Sequence, residues 1–201
     1  MLNQTNAMNT ETWVGNLISK NTENINIKIL FSIITVFLGS LLLIASAKIK
    51  VPLYPVPMTL QPLAVLMIAM LFGGKLATLT VGLYIFKGII GLPVFAFGGG
   101  LMYLMGPTGG FILGFFVSAF IVGHLADRGW GKKVSLSIIS MLIGMLVIYS
   151  LGIFQLALLK GFNFALLKGF YPFLLGDFYK LLLAGIITPV SYTHLTLPTN
   201  A

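Results

Sequence analysis

The chain has 201 residues, 58% of them hydrophobic and only 8% charged, whereas roughly a quarter of an ordinary soluble domain is charged. That scarcity excludes a water-soluble globular domain and makes a lipid bilayer the expected solvent. The net charge of +8 arises from basic residues scattered singly between apolar runs, a pattern that suits membrane flanks and not nucleic acid; with no cysteine, disulfides, thiolate metal sites and a cysteine nucleophile are excluded too.

Residues 1–28 read as a polar tail with an interfacial turn around Trp13 to Ile18, and no cleavable leader pattern precedes the first apolar run. That run, Ile29 to Ala47, is helix one. Lys48 to Pro62 carries Pro52, Pro55, Pro57 and Pro62, too many for a helix interior, and reads as a structured loop. Helix two follows from about Thr59 to Phe72, a tight turn at Gly73-Gly74-Lys75, then helix three from about Leu76 to Ile90. Gly91-Leu92-Pro93 and Gly98-Gly99-Gly100 break the next apolar stretch into a buried or re-entrant loop ahead of helix four, about Pro107 to Leu125. After the polar loop Asp127 to Lys133 come helix five, about Val134 to Leu159, a loop from Lys160 to Tyr171, and helix six, about Pro172 to Ile187.

The prediction is an all-α membrane protein of six transmembrane helices, with a binding domain over residues 29–190. Six spans put both termini on one side. Lys20, Lys28, Lys75, Arg128, Lys132 and Lys133 then share a face opposite Lys48, Lys50, Lys160 and Lys168, which predicts cytoplasmic termini. Residues 191–201, polar and with His194 and Pro198, read as a translated adapter and not as part of the domain.

An ionisable group inside a span costs about 2.5–3.5 kcal/mol at the bilayer centre and is a candidate functional group. Lys87, Asp177 and Lys180 qualify. Asp177 and Lys180 lie at i,i+3, on one helical face, and form either a structural ion pair or the polar floor of an apolar cavity. Lys87, one turn from the Gly91-Leu92-Pro93 break, reads as snorkelling to the interface. The small-residue series Gly106, Gly110, Gly114 and Ser118 reads as internal helix packing. The glycine cluster at 98–100 lacks the strand-turn-helix setting and the Lys-Ser/Thr ending of a phosphate loop, and His124 stands alone. No nucleophile or metal set converges, so an enzyme acting on lipid is disfavoured and no cofactor is expected. The irregular loops after helices one and three share a face, as the lid of an outward-opening site would.

Four ordered segments resemble the BioY family, the biotin-specific S components of energy-coupling factor (ECF) transporters: Pro55-Val56-Pro57-Met58-Thr59-Leu60-Gln61, Gly91-Leu92-Pro93-Val94-Phe95, Gly106-Pro107-Thr108-Gly109-Gly110 and Pro172 to Lys180. The resemblance covers about residues 29 to 189. It implies a six-helix fold without enzymatic activity that captures biotin from outside the cell, and as partners a transmembrane coupling protein and two cytoplasmic ATPase subunits. By resemblance Asp177 accepts from a ureido N–H, Lys180 donates to the ureido head, Tyr84 adds a polar contact, Gln61 and the proline loop form the lid, and Gly98 and Gly99 bring amides near the ligand. An arginine that some members place in the glycine loop is missing here, which leaves the ligand carboxylate to backbone amides, water or Lys87. On helix one, Gly39, Ser40, Ala45 and Ala47 are the candidates for docking the coupling protein. The rival ligand class is another small vitamin, thiamine or riboflavin.

Overall fold

The computed structural model describes residues 12–21 and 24–196. Glu11, Glu23 and the last five residues of the predicted tail lie outside them. In chain order come α1 (Trp13–Asn21), α2 (Ile25–Lys48), β1 (Lys50–Val51), β2 (Met58–Thr59), α3 (Gln61–Ile89), α4 (Leu101–Met105), α5 (Gly109–Asp127), a 3-10 turn at Trp130–Lys132, α6 (Val134–Lys160), α7 (Phe162–Gly169) and α8 (Tyr171–Thr196). Among the described residues five helices, α2, α3, α5, α6 and α8, are long and apolar enough to cross a membrane. Their outward side chains, such as Leu38, Leu146 and Phe154, are exposed and apolar, as a lipid-facing surface requires.

The helix α3 is not one straight rod. Gly73 sits at φ 80°, ψ 172°, inside an otherwise helical run. Straight, the helix would hold Gln61 and Tyr84 roughly 35 Å apart at 1.5 Å per residue, yet Gln61 Nε2 donates to Tyr84 Oη at 2.7 Å. The chain therefore reverses at Gly73 and its two arms, 61–72 and 74–89, run back along each other. These arms are the helices expected as two and three. A side chain at Gly73 would run into the Asp127 carboxylate and the Thr12 methyl. Asp127 Oδ2 in turn accepts the Gly74 amide at 3.1 Å, one of the donors left free where a helix restarts.

Three other departures from the expected elements have local causes. The polar tail contains α1, which buries Val14 and Ile18 one turn apart, both 5% exposed, and α2 starts at Ile25 under an Asn24 cap because a lysine in the first turn does not stop a helix. The predicted loop Lys160 to Tyr171 is mostly the helix α7, which buries Ala165 and Gly169, an i,i+4 pair on one face, with Lys168 in its last turn. Finally, α8 runs past Ile187 and through Pro189 to Thr196.

α5 lies at the centre, packed on α3 and on α6. Its small stripe faces inward: a methyl at Gly114 would come within 2.8 Å of the Ile148 Cα, and one at Gly144 within 2.6 Å of Ser118 Oγ. The stripe thus lets α5 and α6 approach backbone to backbone, which is the internal-packing reading.

Gly73→Ala is expected to lower the thermal stability of the detergent-purified protein by about 1–3 kcal/mol, the cost of a non-glycine residue in a strained backbone region. Gly82→Ala, whose new methyl meets only the Phe116 ring at 3.4 Å, is expected to leave the unfolding midpoint where it is or raise it. Equal losses for both would show that the reversal does not depend on Gly73.

Candidate functional site

The proline segment folds into a lid. β1 and β2 pair antiparallel, Lys50 opposite Thr59 and Val51 opposite Met58, so Pro52, Pro55 and Pro57 fall in the connection, where no ladder donor is needed. Beside it, residues 91–100 fold onto the end of α3: the Gly100 amide donates to the Gly88 carbonyl at 2.7 Å and the Phe95 amide to the Gly98 carbonyl at 2.8 Å. Phe95, fully buried, meets Tyr84 edge-on at 5.5 Å and stacks with Tyr103 at 5.0 Å between ring centroids. Gln155, a polar residue within α6, holds the following segment by donating to the carbonyls of Leu104 and Gly106 at 2.8 and 2.7 Å.

Beneath these loops lies a narrow cleft with about 50 Å³ of free interior space. Phe111, Ile112, Phe115, Ile148 and Phe173 form its apolar wall, and Thr59, Gln61, Tyr103, Thr108, Tyr149 and Asp177 bring polar atoms to it. Asp177 is only 5% exposed. Its Oδ1 accepts from Lys180 Nζ at 2.7 Å and its Oδ2 from Tyr149 Oη at 2.6 Å. Lys180 Nζ donates also to the Thr59 carbonyl at 2.8 Å. One buried ion pair therefore joins α8 to α6 and to the second lid strand.

Of the residues expected at a site, Asp177 and Gln61 line the cleft, Tyr84 stands directly behind Gln61, and Lys180 reaches it through Asp177 and Thr59. Gly98 and Gly99 do not line it. They shape the loop that delivers Ala96 and Tyr103, and a methyl at Gly99 would strike the Leu92 carbonyl. Lys87 is placed elsewhere, on Ser40 Oγ at 2.8 Å and over the Phe37 ring at 4.5 Å. Sequence reasoning missed Tyr103 and Thr108 as lining residues and, bonded to Asp177 itself, Tyr149. Its signal was a lone phenol in the most apolar part of α6, and burial of such a hydroxyl calls for a partner.

A family model described as the BioY family matches residues 19–196. The chain belongs to the BioY family. It is 45% identical over 118 residues to the biotin transporter BioY of Thermotoga maritima, a stretch covering 57% of this chain and 68% of that one. To the biotin transporter BioY of Rhizobium etli it is 34% identical over 148 residues, 70% of this chain and 76% of the other. A crystal structure of the S-component for biotin from an ECF-type ABC transporter superposes with a TM-score of 0.74 at 22% identity, over 86% of this chain and 95% of that one. This likeness establishes the fold: an all-α, multi-pass membrane bundle of the S-component type.

Removing one member of a buried ion pair strands the other. Asp177→Ala is expected to destabilise the protein by about 3 kcal/mol, and the double variant Asp177→Ala, Lys180→Met to recover most of that loss. Thermal unfolding in detergent reads both; additive losses would mean the two groups are not coupled.

Proposed function

We propose that this chain is the biotin-binding S component of an ECF-type importer, a carrier with no chemistry of its own. The carrying observation is the buried Asp177 and Lys180 pair, set against the apolar wall of a cleft in a chain of the BioY family. Biotin is a compact, largely apolar bicycle with two ureido N–H donors, one ureido carbonyl and a carboxylate at the end of its valerate tail. An ionised carboxylate accepts about four hydrogen bonds and an ammonium donates three. Asp177 uses one bond on each oxygen and Lys180 two of its donors within the protein, so both keep capacity for a ureido N–H and the ureido carbonyl. Phe111, Phe115 and Phe173 offer faces for the rings. A cationic vitamin such as thiamine fits less well, because the carboxylate at the cleft is already neutralised by Lys180.

In this reading Gln61, backed by Tyr84, orients the ligand beside the lid, and Gly98 and Gly99 act by shaping the roof. Counting the two arms of α3 separately gives six membrane-crossing arms, a reading supported by the reversal at Gly73. The termini then lie on the cytoplasmic side, as the basic loop Arg128 to Lys133 favours, and the lid faces outward. Biotin captured there is passed inward with a transmembrane coupling protein and two cytoplasmic ATPase subunits. Gly39, Ser40 and Ala47, all on the buried side of α2, and Ala45, on its exposed side, divide that docking role: Ala45 alone presents a small residue outward. Residues 29–190 are the binding unit.

Isothermal titration of the detergent-purified protein is expected to give tight biotin binding and none for thiamine or riboflavin. Asp177→Asn and Lys180→Met should each weaken biotin at least about tenfold, the loss of a charge-assisted hydrogen bond, while a chain ending after Val190 keeps its affinity. Binding of thiamine or riboflavin in place of biotin would sink the proposal.

A further inference from the structure

The roof of the cleft is held by cations. Lys48 Nζ donates to the carbonyls of Pro93 and Phe95 at 2.6 and 2.7 Å, and Lys50 Nζ donates to the carbonyl of Ala96 and lies 3.8 Å from the centre of the Phe97 ring. All of these partners are neutral. The chain's four acidic residues are Glu11, Glu23, Asp127 and Asp177. Asp177 is paired with Lys180, and Asp127 sits at the Gly73 reversal, the far end of α3 from the lid. Among the described residues, then, no carboxylate compensates the charge of Lys48 or Lys50.

The two lysines are not equivalent. Lys50 is half-buried, and Ala96, whose carbonyl it holds, lines the cleft. Its strand partner Thr59 lines the cleft too and carries the carbonyl bound by Lys180. Lys48 is exposed and two of its three donors hold carbonyls of the loop, so it keeps one free donor where Lys50 keeps two. Lys87 is committed to Ser40 and Phe37 on α2 and does not reach the cleft.

We infer that Lys50 is the cation that receives the carboxylate of the bound ligand, and that Lys48 is a positioning residue that pins the roof loop over it. This inference rests on the biotin reading above. An ammonium has three donors on a flexible four-carbon stem, so Lys50 can take a carboxylate oxygen while keeping the Ala96 carbonyl. The half-buried mouth, with less water than the open surface, strengthens that attraction. The ligand thereby supplies the negative charge that the roof lacks.

Biotin and its uncharged methyl ester separate the roles, with binding measured by titration calorimetry on the full chain. Wild type is expected to prefer the acid. Lys50→Met should weaken biotin about tenfold or more and leave the ester unchanged, so that the preference disappears, while Lys50→Arg keeps it. Lys48→Met should weaken acid and ester by the same factor. Retained ester affinity shows that Lys50→Met is folded. Equal loss of both ligands in Lys50→Met, or an undiminished preference for the acid, overturns the inference while leaving the biotin reading in place. Wild type that binds neither ligand overturns both.

Discussion

The lid end of this protein depends on where the Lys180 ammonium is satisfied. A lone ammonium among apolar helices would carry a heavy desolvation cost. Here it is shared between Asp177, one turn earlier on α8, and the main-chain carbonyl of Thr59 on the lid. The second oxygen of Asp177 is taken by Tyr149 on α6. Each partner leaves the others undersatisfied if it moves, so the start of α8, the middle of α6 and the second lid strand hold a fixed relation. That coupling lets the pair tie three elements together while Asp177 faces the cleft. The two readings of an i,i+3 charge pair, ion pair or cavity floor, are one arrangement here.

A second constraint acts through the backbone. In a bilayer every peptide group must find a partner within the protein, and α3 meets this while turning back on itself by using a glycine at Gly73 and the Asp127 carboxylate on the next amide. The far ends of its two arms are tied by Gln61 and Tyr84. The result is a stiff wall beside the cleft, and Phe95 and Tyr103 rest on that wall through their rings. The irregular segments over the cleft are fastened to it by side chains from other elements: Lys48 and Lys50 hold residues 93–96, and Gln155 holds residues 104–106. The wall of the cleft thus sits on helices, and its cover is made of loops fastened by a few polar bonds.

Much of the candidate site was legible because charge is so scarce. Asp177 and Lys180 stood out as ionisable residues in a span, and their spacing alone put them on one face. Tyr149 and Gln155 were not legible for the opposite reason: a phenol or an amide in a helix is common enough to pass as interfacial, and only the packing shows which backbone or carboxylate it reaches. Gly98 and Gly99 were expected beside the ligand, yet the close approach at Gly99 is to the loop's own backbone at Leu92, and a methyl at Gly98 would meet nothing within 4 Å. A glycine signals a tight contact without saying with what. Lys87 looked like an available cation until α2 was found to supply Ser40 and Phe37 as its partners.

By itself, the sequence determined the solvent, the apolar helices and their order, the break at Gly73, the two irregular loops and the placing of Asp177 and Lys180 on one helical face. These follow from local quantities: hydropathy over a window, the backbone demands of glycine and proline, and a spacing along one helix. Only the tertiary structure decided that α7 is helical, that the small stripe of α5 meets α6, and that Tyr149 completes the ion pair. It also decided that Lys50 holds the carbonyl of the cleft-lining Ala96 while Lys87 is taken up by α2. Each of those depends on contacts between residues far apart in the chain, which no periodicity encodes.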